Sequence, residues 1–259
     1  MAIQIPPDEE IRLAVAEVFD RVRFDHTSKL LNALVVVDKS MFRGHSMINY
    51  VVDYEMQELC HFVNGFNAHL KQTDDRFQQS RIRALIYCHI MEADLPLTVI
   101  WNLLRILNGE DCDWTFCRIT NGKKKQICEY PRQKIVELSR LSKKLDVRIG
   151  TVLDRLWQVD LRNAFSHSQY CWMGEMLTAT SSLSPLSRKK ERERNNPSFT
   201  AEDIELLYRG ASKLLYYFVE AYRLTIEPFK DGNAHSVDIA GSSGTHKRDG
   251  FGRETIDNI

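Results

Sequence analysis

Arg162, Asn163, Ser166, His167 and Tyr170 lie within one short run, Asp160-Leu-Arg-Asn-Ala-Phe-Ser-His-Ser-Gln-Tyr170. Together they offer a guanidinium, an amide, a hydroxyl, an imidazole and a phenol. Arginine carries a permanent, planar, fork-shaped cation that matches phosphate oxygens. Histidine titrates near neutrality and can take or give a proton. The pair suits cleavage of an RNA phosphodiester. The imidazole would take the proton of a 2′-OH, or protonate the leaving 5′-oxygen, while the guanidinium stabilises charge building on phosphorus. That chemistry needs no metal.

For these groups to share a surface, the chain must be helical there. Val152, Leu153, Leu156 and Trp157 lead into the run, and their spacing predicts one helix continuing from Ile149 towards Tyr170. At about 100° per residue, Leu153, Trp157, Leu161, Ala164 and Phe165 fall on one arc. Arg162, Asn163, Ser166, His167 and Tyr170 fall on the other. Asn163 and His167 stand four apart, so on a helix they are neighbours and Asn163 would orient the imidazole. Arg162 and His167 lie about 7.5 Å apart along such an axis, within joint reach of one ligand. The bland alternative is a solvated helix face, or side chains bridging to neighbouring helices.

The word Arg-Asn-Ala-Phe-Ser-His at 162–167 resembles the signature of the HEPN superfamily in its Arg–polar–x3–His form. Apolar Leu161 before it, Ala164 and Phe165 within it, and Ser-Gln-Tyr after it match as well. The likeness in overall organisation covers about residues 75–227. It implies an all-helical bundle with the motif on a late helix. It also implies a metal-independent endoribonuclease, of the kind found in toxin–antitoxin, phage-defence and RNA-processing systems. The partners it implies are RNA, a second copy of the chain, and an antitoxin or other regulatory protein. In such a homodimer Arg and His of both copies face one cleft. On this resemblance Arg162 and His167 are the catalytic pair and Asn163 their polar helper. One subgroup carries a nucleotidylated Tyr two residues after the His; here Gln169 holds that place and Tyr170 follows it. Some members only bind nucleotides, RNA or protein, which is the alternative reading.

The rest of the chain fits a mainly α fold. It is expected to be a HEPN-like helical bundle with an N-terminal helical extension and one inserted β-hairpin. The N-terminal helical region spans 1–72, with helices over Glu9–Val37 and Ser46–Lys71. The HEPN-like domain spans 73–229, and a disordered tail rich in Gly, Ser, His and Asp follows over 230–259. Within the domain, helices are predicted after Thr73 or Asp74, over Leu97–Leu107, after Pro131, and from Ala201 to about Glu227. Thr200 and Asp203 have capping-box spacing. Asn121-Gly122 between two β-prone runs predicts the hairpin at about 114–129. The polar stretch at about 178–198 reads as a mobile loop.

Lys plus Arg number 35 and Asp plus Glu number 35 in 259 residues. A neutral chain does not hold nucleic acid by bulk charge, so RNA contacts must be local. Lys123, Lys124 and Lys125 beyond the hairpin turn are weak candidates, as is Tyr170; a solubilising loop tip is the plainer reading of the lysines. The six cysteines show no paired C-x-x-C pattern and read as reduced thiols. His89 and Glu92, and His61 and His69, lack a clear third ligand, so no metal and no cofactor are expected. No leader pattern or membrane-length apolar run is visible. The expected location is therefore cytoplasmic, with no membrane partner.

Overall fold

The computed structural model describes residues 3–34, 50–114, 116–120, 124–128, 130–168, 170–173, 176–179 and 197–230. Lys123, most of the loop expected at 178–198 and the tail beyond Lys230 lie outside them.

Three acidic residues in the first turn, Asp8, Glu9 and Glu10, complement the dipole of α1 (Asp8–Asp25). The predicted single helix to Val37 breaks at His26, and α2 (Thr27–Leu34) starts afresh. The Thr27 hydroxyl hydrogen-bonds the Arg23 carbonyl, local competition that a hydroxyl next to a helix end provides. Next come α3 (Tyr50–Leu70) and α4 (Arg76–Glu92). The Asp75 carboxylate accepts from the Phe77 amide at 2.8 Å and so caps α4. After Ala93 the chain enters α5 (Asp94–Leu107). Pro96 sits in the first turn of α5, where its missing N–H costs nothing. Gly109, at φ 77°, closes α5 in the left-handed region.

Strands β1 (Cys117–Thr120) and β2 (Lys124–Ile127) pair antiparallel, with Cys117 opposite Ile127 and Thr120 opposite Lys124. Pro131 opens α6 (Pro131–Leu145), followed by α7 (Ile149–Leu156) and α8 (Val159–Ser166). A second sheet, which the sequence reading did not include, has the order β3-β4-β5. Its strands are β3 (Tyr170–Met173), β4 (Met176–Ala179) and β5 (Ser198–Thr200), all antiparallel. The last element is α9 (Ala201–Lys230). Its start carries the reciprocal capping box: the Asp203 amide donates to Thr200 Oγ1 at 3.1 Å and the Thr200 amide to Asp203 Oδ2 at 2.9 Å.

The fold is thus mainly α with two small sheets. α9 lies along α4 and α1 and buries Ile204, Leu207, Ala211, Leu215 and Phe218. Phe218 meets Phe19 of α1 edge-on, with centroids 5.8 Å apart. Each such fully buried Leu, Ile or Phe side chain contributes roughly 1.5–3 kcal/mol. The core runs without interruption from Ile11 to Ile226. In the aromatic stripe of α9, Phe218 and Tyr222 belong to this core, while Tyr216 and Tyr217 are half-buried.

The α6–α7 contact is close enough to need a glycine. A Cβ on Gly150 would stand 2.7 Å from Ser139 Cα and 2.7 Å from Ser142 Cβ. Gly150→Ala is therefore expected to lower the unfolding free energy in a urea titration by about 1–3 kcal/mol. At Gly210 the nearest obstacle is only the tip of Leu156, so Gly210→Ala should cost less.

Candidate functional site

The segment expected as one helix from Ile149 towards Tyr170 is three elements. α7 ends at Leu156, Trp157 and Gln158 adopt extended backbone, and α8 carries the motif. Leu153 and Trp157 therefore do not share a helical arc with Leu161. The break is built around Tyr87 of α4, which is fully buried. Its hydroxyl donates to the Leu156 carbonyl at 2.8 Å and accepts from the Gln158 amide at 2.8 Å. One phenol thus satisfies the end of α7 and the start of α8, two groups that would otherwise be orphaned. Burial pushes its pKa far above the ordinary tyrosine value, the Gln158 amide opposing, so it stays a neutral donor. Tyr87→Phe leaves the buried Leu156 carbonyl without its donor and the half-buried Gln158 amide without its acceptor. The expected cost is about 1–3 kcal/mol, read as a lower urea midpoint with an unchanged slope.

On α8, Leu161 and Ala164 are buried while Arg162 and Asn163 are half-buried and Ser166 is exposed. Arg162 Nε donates to Glu92 Oε1 of α4. Its Nη1 donates to Asn163 Oδ1 at 3.0 Å. The Ser166 hydroxyl donates to the same Glu92 oxygen at 3.1 Å. Glu92 thus ties α8 to the last turn of α4 and fixes the guanidinium. The side chains of Arg162 and Glu92 are 20% and 28% exposed, which leaves the remaining guanidinium N–H groups a route to a ligand.

His167 is the C-cap residue of α8 and is exposed. Its amide donates to the Asn163 carbonyl at 3.1 Å, so it stands one turn beyond Asn163. Among the described residues its imidazole has no hydrogen-bond partner. Asn163 engages Arg162, not His167. Ser168, at φ 52°, then takes the left-handed conformation and turns the chain into β3. Tyr170 is consequently a strand residue and not part of the helix face. Its ring stacks on Phe165 with centroids 5.1 Å apart and planes 5° from parallel. Lys124 and Lys125 have their backbone in β2; their side chains, like all of Lys123, are outside the described residues.

Glu92 is the site residue that sequence reasoning did not connect. It stood there only as a neighbour of His89. His89 instead stacks on Phe62, centroids 3.9 Å apart, and burial holds its pKa below the ordinary imidazole value, Glu92 opposing. Among the described residues no three His, Cys, Asp or Glu side chains converge as metal ligands would. Cys88 sits close to Arg162 and Glu92, but burial pushes its thiol up to about 12, with Arg162 pulling the other way. It is therefore no nucleophile at neutral pH.

A groove of about 440 Å³, lined in part by His89, lies between α3 and the α4–α5 junction. Leu59, Phe62, Leu95 and Pro96 form its floor and Glu55, Glu58 and Asp94 its rim. Burial and the nearby Asp94 raise the Glu55 pKa. That rim repels a phosphodiester, and the groove contains neither Arg162 nor His167.

The site therefore consists of a guanidinium locked by a carboxylate and an amide, with an exposed imidazole just past the same helix. No family model, characterised protein or solved structure matches the chain.

Proposed function

We propose that the chain is a metal-independent endoribonuclease of the HEPN type, with Arg162 and His167 as its catalytic pair. The observation that carries this reading is the contrast within the motif. The guanidinium is fixed in place by Glu92 and Asn163, while His167 is exposed and has no partner among the described residues. Fixed positive charge together with an exposed proton carrier is what phosphodiester cleavage asks for. His167 takes the 2′-OH proton as that oxygen attacks phosphorus. The P–O5′ bond breaks, and the departing 5′-oxygen takes a proton. The products are a 2′,3′-cyclic phosphate and a 5′-OH. A homodimer supplies a second Arg162 and His167 to the same cleft, so that one imidazole serves as base and the other as acid. The HEPN resemblance adds a setting: a cytoplasmic toxin–antitoxin or defence system, with an antitoxin or regulatory partner.

In this reading Glu92 is a positioning residue. Glu92→Ala frees the guanidinium and is expected to lower kcat about 10- to 100-fold, since an ångström of misplacement is costly. Glu92→Gln keeps an acceptor for Nε and should recover most of the loss. A kcat measurement on both variants checks this.

One observation favours a second reading. The carboxylate on Arg162 offsets part of the charge a phosphate would meet, which suits a non-catalytic module that binds nucleotide, RNA or protein. Incubation of single-stranded RNA with the wild type in EDTA separates the two. Cleavage supports the nuclease, and tight binding without cleavage supports the module.

A further inference from the structure

The turn that exposes His167 also brings two aromatic rings together. The His167 amide bonds back to the Asn163 carbonyl and the Ser168 amide to the Phe165 carbonyl at 3.2 Å. The left-handed Ser168 then reverses the chain, and Tyr170 returns over Phe165 in a near-parallel stack. Both rings are half-buried. They pack against the core, and part of each ring remains open to solvent. Two residues on, Trp172 lies on the same face of β3 and meets Phe77 edge-on at 5.7 Å. Phe77 is 45% exposed. An aromatic row therefore runs from the motif turn to the N-terminal end of α4.

We propose that Tyr170, backed by Phe165, is a stacking platform for an unpaired nucleobase beside the phosphate held at Arg162 and His167. The substrate class is then single-stranded RNA or an RNA loop. The proposal rests on the nuclease reading for the position of the phosphate. A base inside a duplex has both faces covered and does not reach such a platform. Stacking is tolerant of sequence, because every base has a π-face. The platform also answers the charge balance. With 35 cationic and 35 anionic side chains, RNA is held by rings and not by bulk charge. Because Phe165 already fixes the Tyr170 ring, little side-chain freedom is lost on binding.

The test is a double-mutant cycle between protein and RNA, made on full-length His167→Ala protein so that the RNA stays intact. Short single-stranded oligonucleotides carry one abasic nucleotide, moved along the sequence position by position. At one position, loss of the base should weaken binding about 5- to 150-fold. Tyr170→Leu should weaken binding of the intact oligonucleotide by a similar factor, yet weaken the abasic one no further. Tyr170→Phe should restore the binding that Leu removes. A scan with no sensitive position, or a sensitive position that ignores residue 170, overturns the platform, and the abasic scan needs no change at Tyr170 that could disturb folding. A flat scan beside wild-type cleavage in EDTA removes the platform and leaves the nuclease. Tyr170-dependent base binding without wild-type cleavage removes the nuclease and leaves the platform.

Discussion

If the chain is the proposed ribonuclease, His167→Ala is expected to lower the rate of RNA cleavage about 100- to 10,000-fold, the range that a positioned general acid or base contributes. The fold does not depend on this side chain. It is exposed at the end of α8, has no hydrogen-bond partner among the described residues, and enters the helix only through its backbone amide. The unfolding free energy of the variant should stay within about 0.5 kcal/mol of wild type. Activity and stability therefore separate cleanly. Single-turnover cleavage gives the first quantity and a urea titration the second. A variant that keeps its activity, or loses it only by unfolding, contradicts the role assigned here.

In the proposed nuclease, Arg162→Lys is expected to keep the charge and lose most of the activity. Of the five N–H donors on arginine, the structure uses Nε on Glu92 and one on Nη1 for Asn163. In the proposed nuclease the rest of the fork would meet two phosphate oxygens at once. A lysine ammonium is a single point on a flexible stem. It can stay with Glu92 or turn to the phosphate, but it does not hold both. The expected loss in kcat is about 100- to 1,000-fold, equivalent to about 2.7–4 kcal/mol of transition-state stabilisation. The change in KM should be smaller, because a ground-state phosphate still meets a cation. A kcat and KM pair for the variant checks the split. Equal effects on both would move Arg162 from the transition state to simple binding.

Much of the helical order was legible because local chemistry agreed with it. Pro131 stands at the first position of α6, Gly109 closes α5 at positive φ, and Thr200 and Asp203 form the box that their spacing suggests. The breaks around the motif were not legible. Leu156-Trp-Gln-Val159 has no Pro or Gly, and its apolar period runs on as if helical. What stops the helix is the Tyr87 hydroxyl, sixty-nine residues from Leu156 in the chain, a tertiary contact with no local signal. Ser168 likewise takes a conformation usually left to Gly or Asn. With the helix read straight through, strands β3 to β5 were not seen and Tyr170 was placed on the wrong element. Arg162 and His167 were singled out by residue type, spacing and the HEPN resemblance, and the structure places Arg162 on α8 and His167 at its C-cap. Glu92 did not. Seventy residues separate it from Arg162, and nothing in an Arg–x4–His word names the carboxylate that holds it.

The chemistry of the cleaved ends distinguishes the proposed nuclease from every alternative. Wild-type protein is incubated with single-stranded RNA in excess EDTA, and the product ends are identified by mass spectrometry. If His167 removes the 2′-OH proton and the 2′-oxygen attacks phosphorus, the fragments carry 2′,3′-cyclic phosphate and 5′-OH ends. A single 2′-deoxy nucleotide at the scissile position then blocks the cut. Fragments with 3′-OH and 5′-phosphate ends, cleavage that survives the 2′-deoxy substitution, or RNA left whole would contradict it.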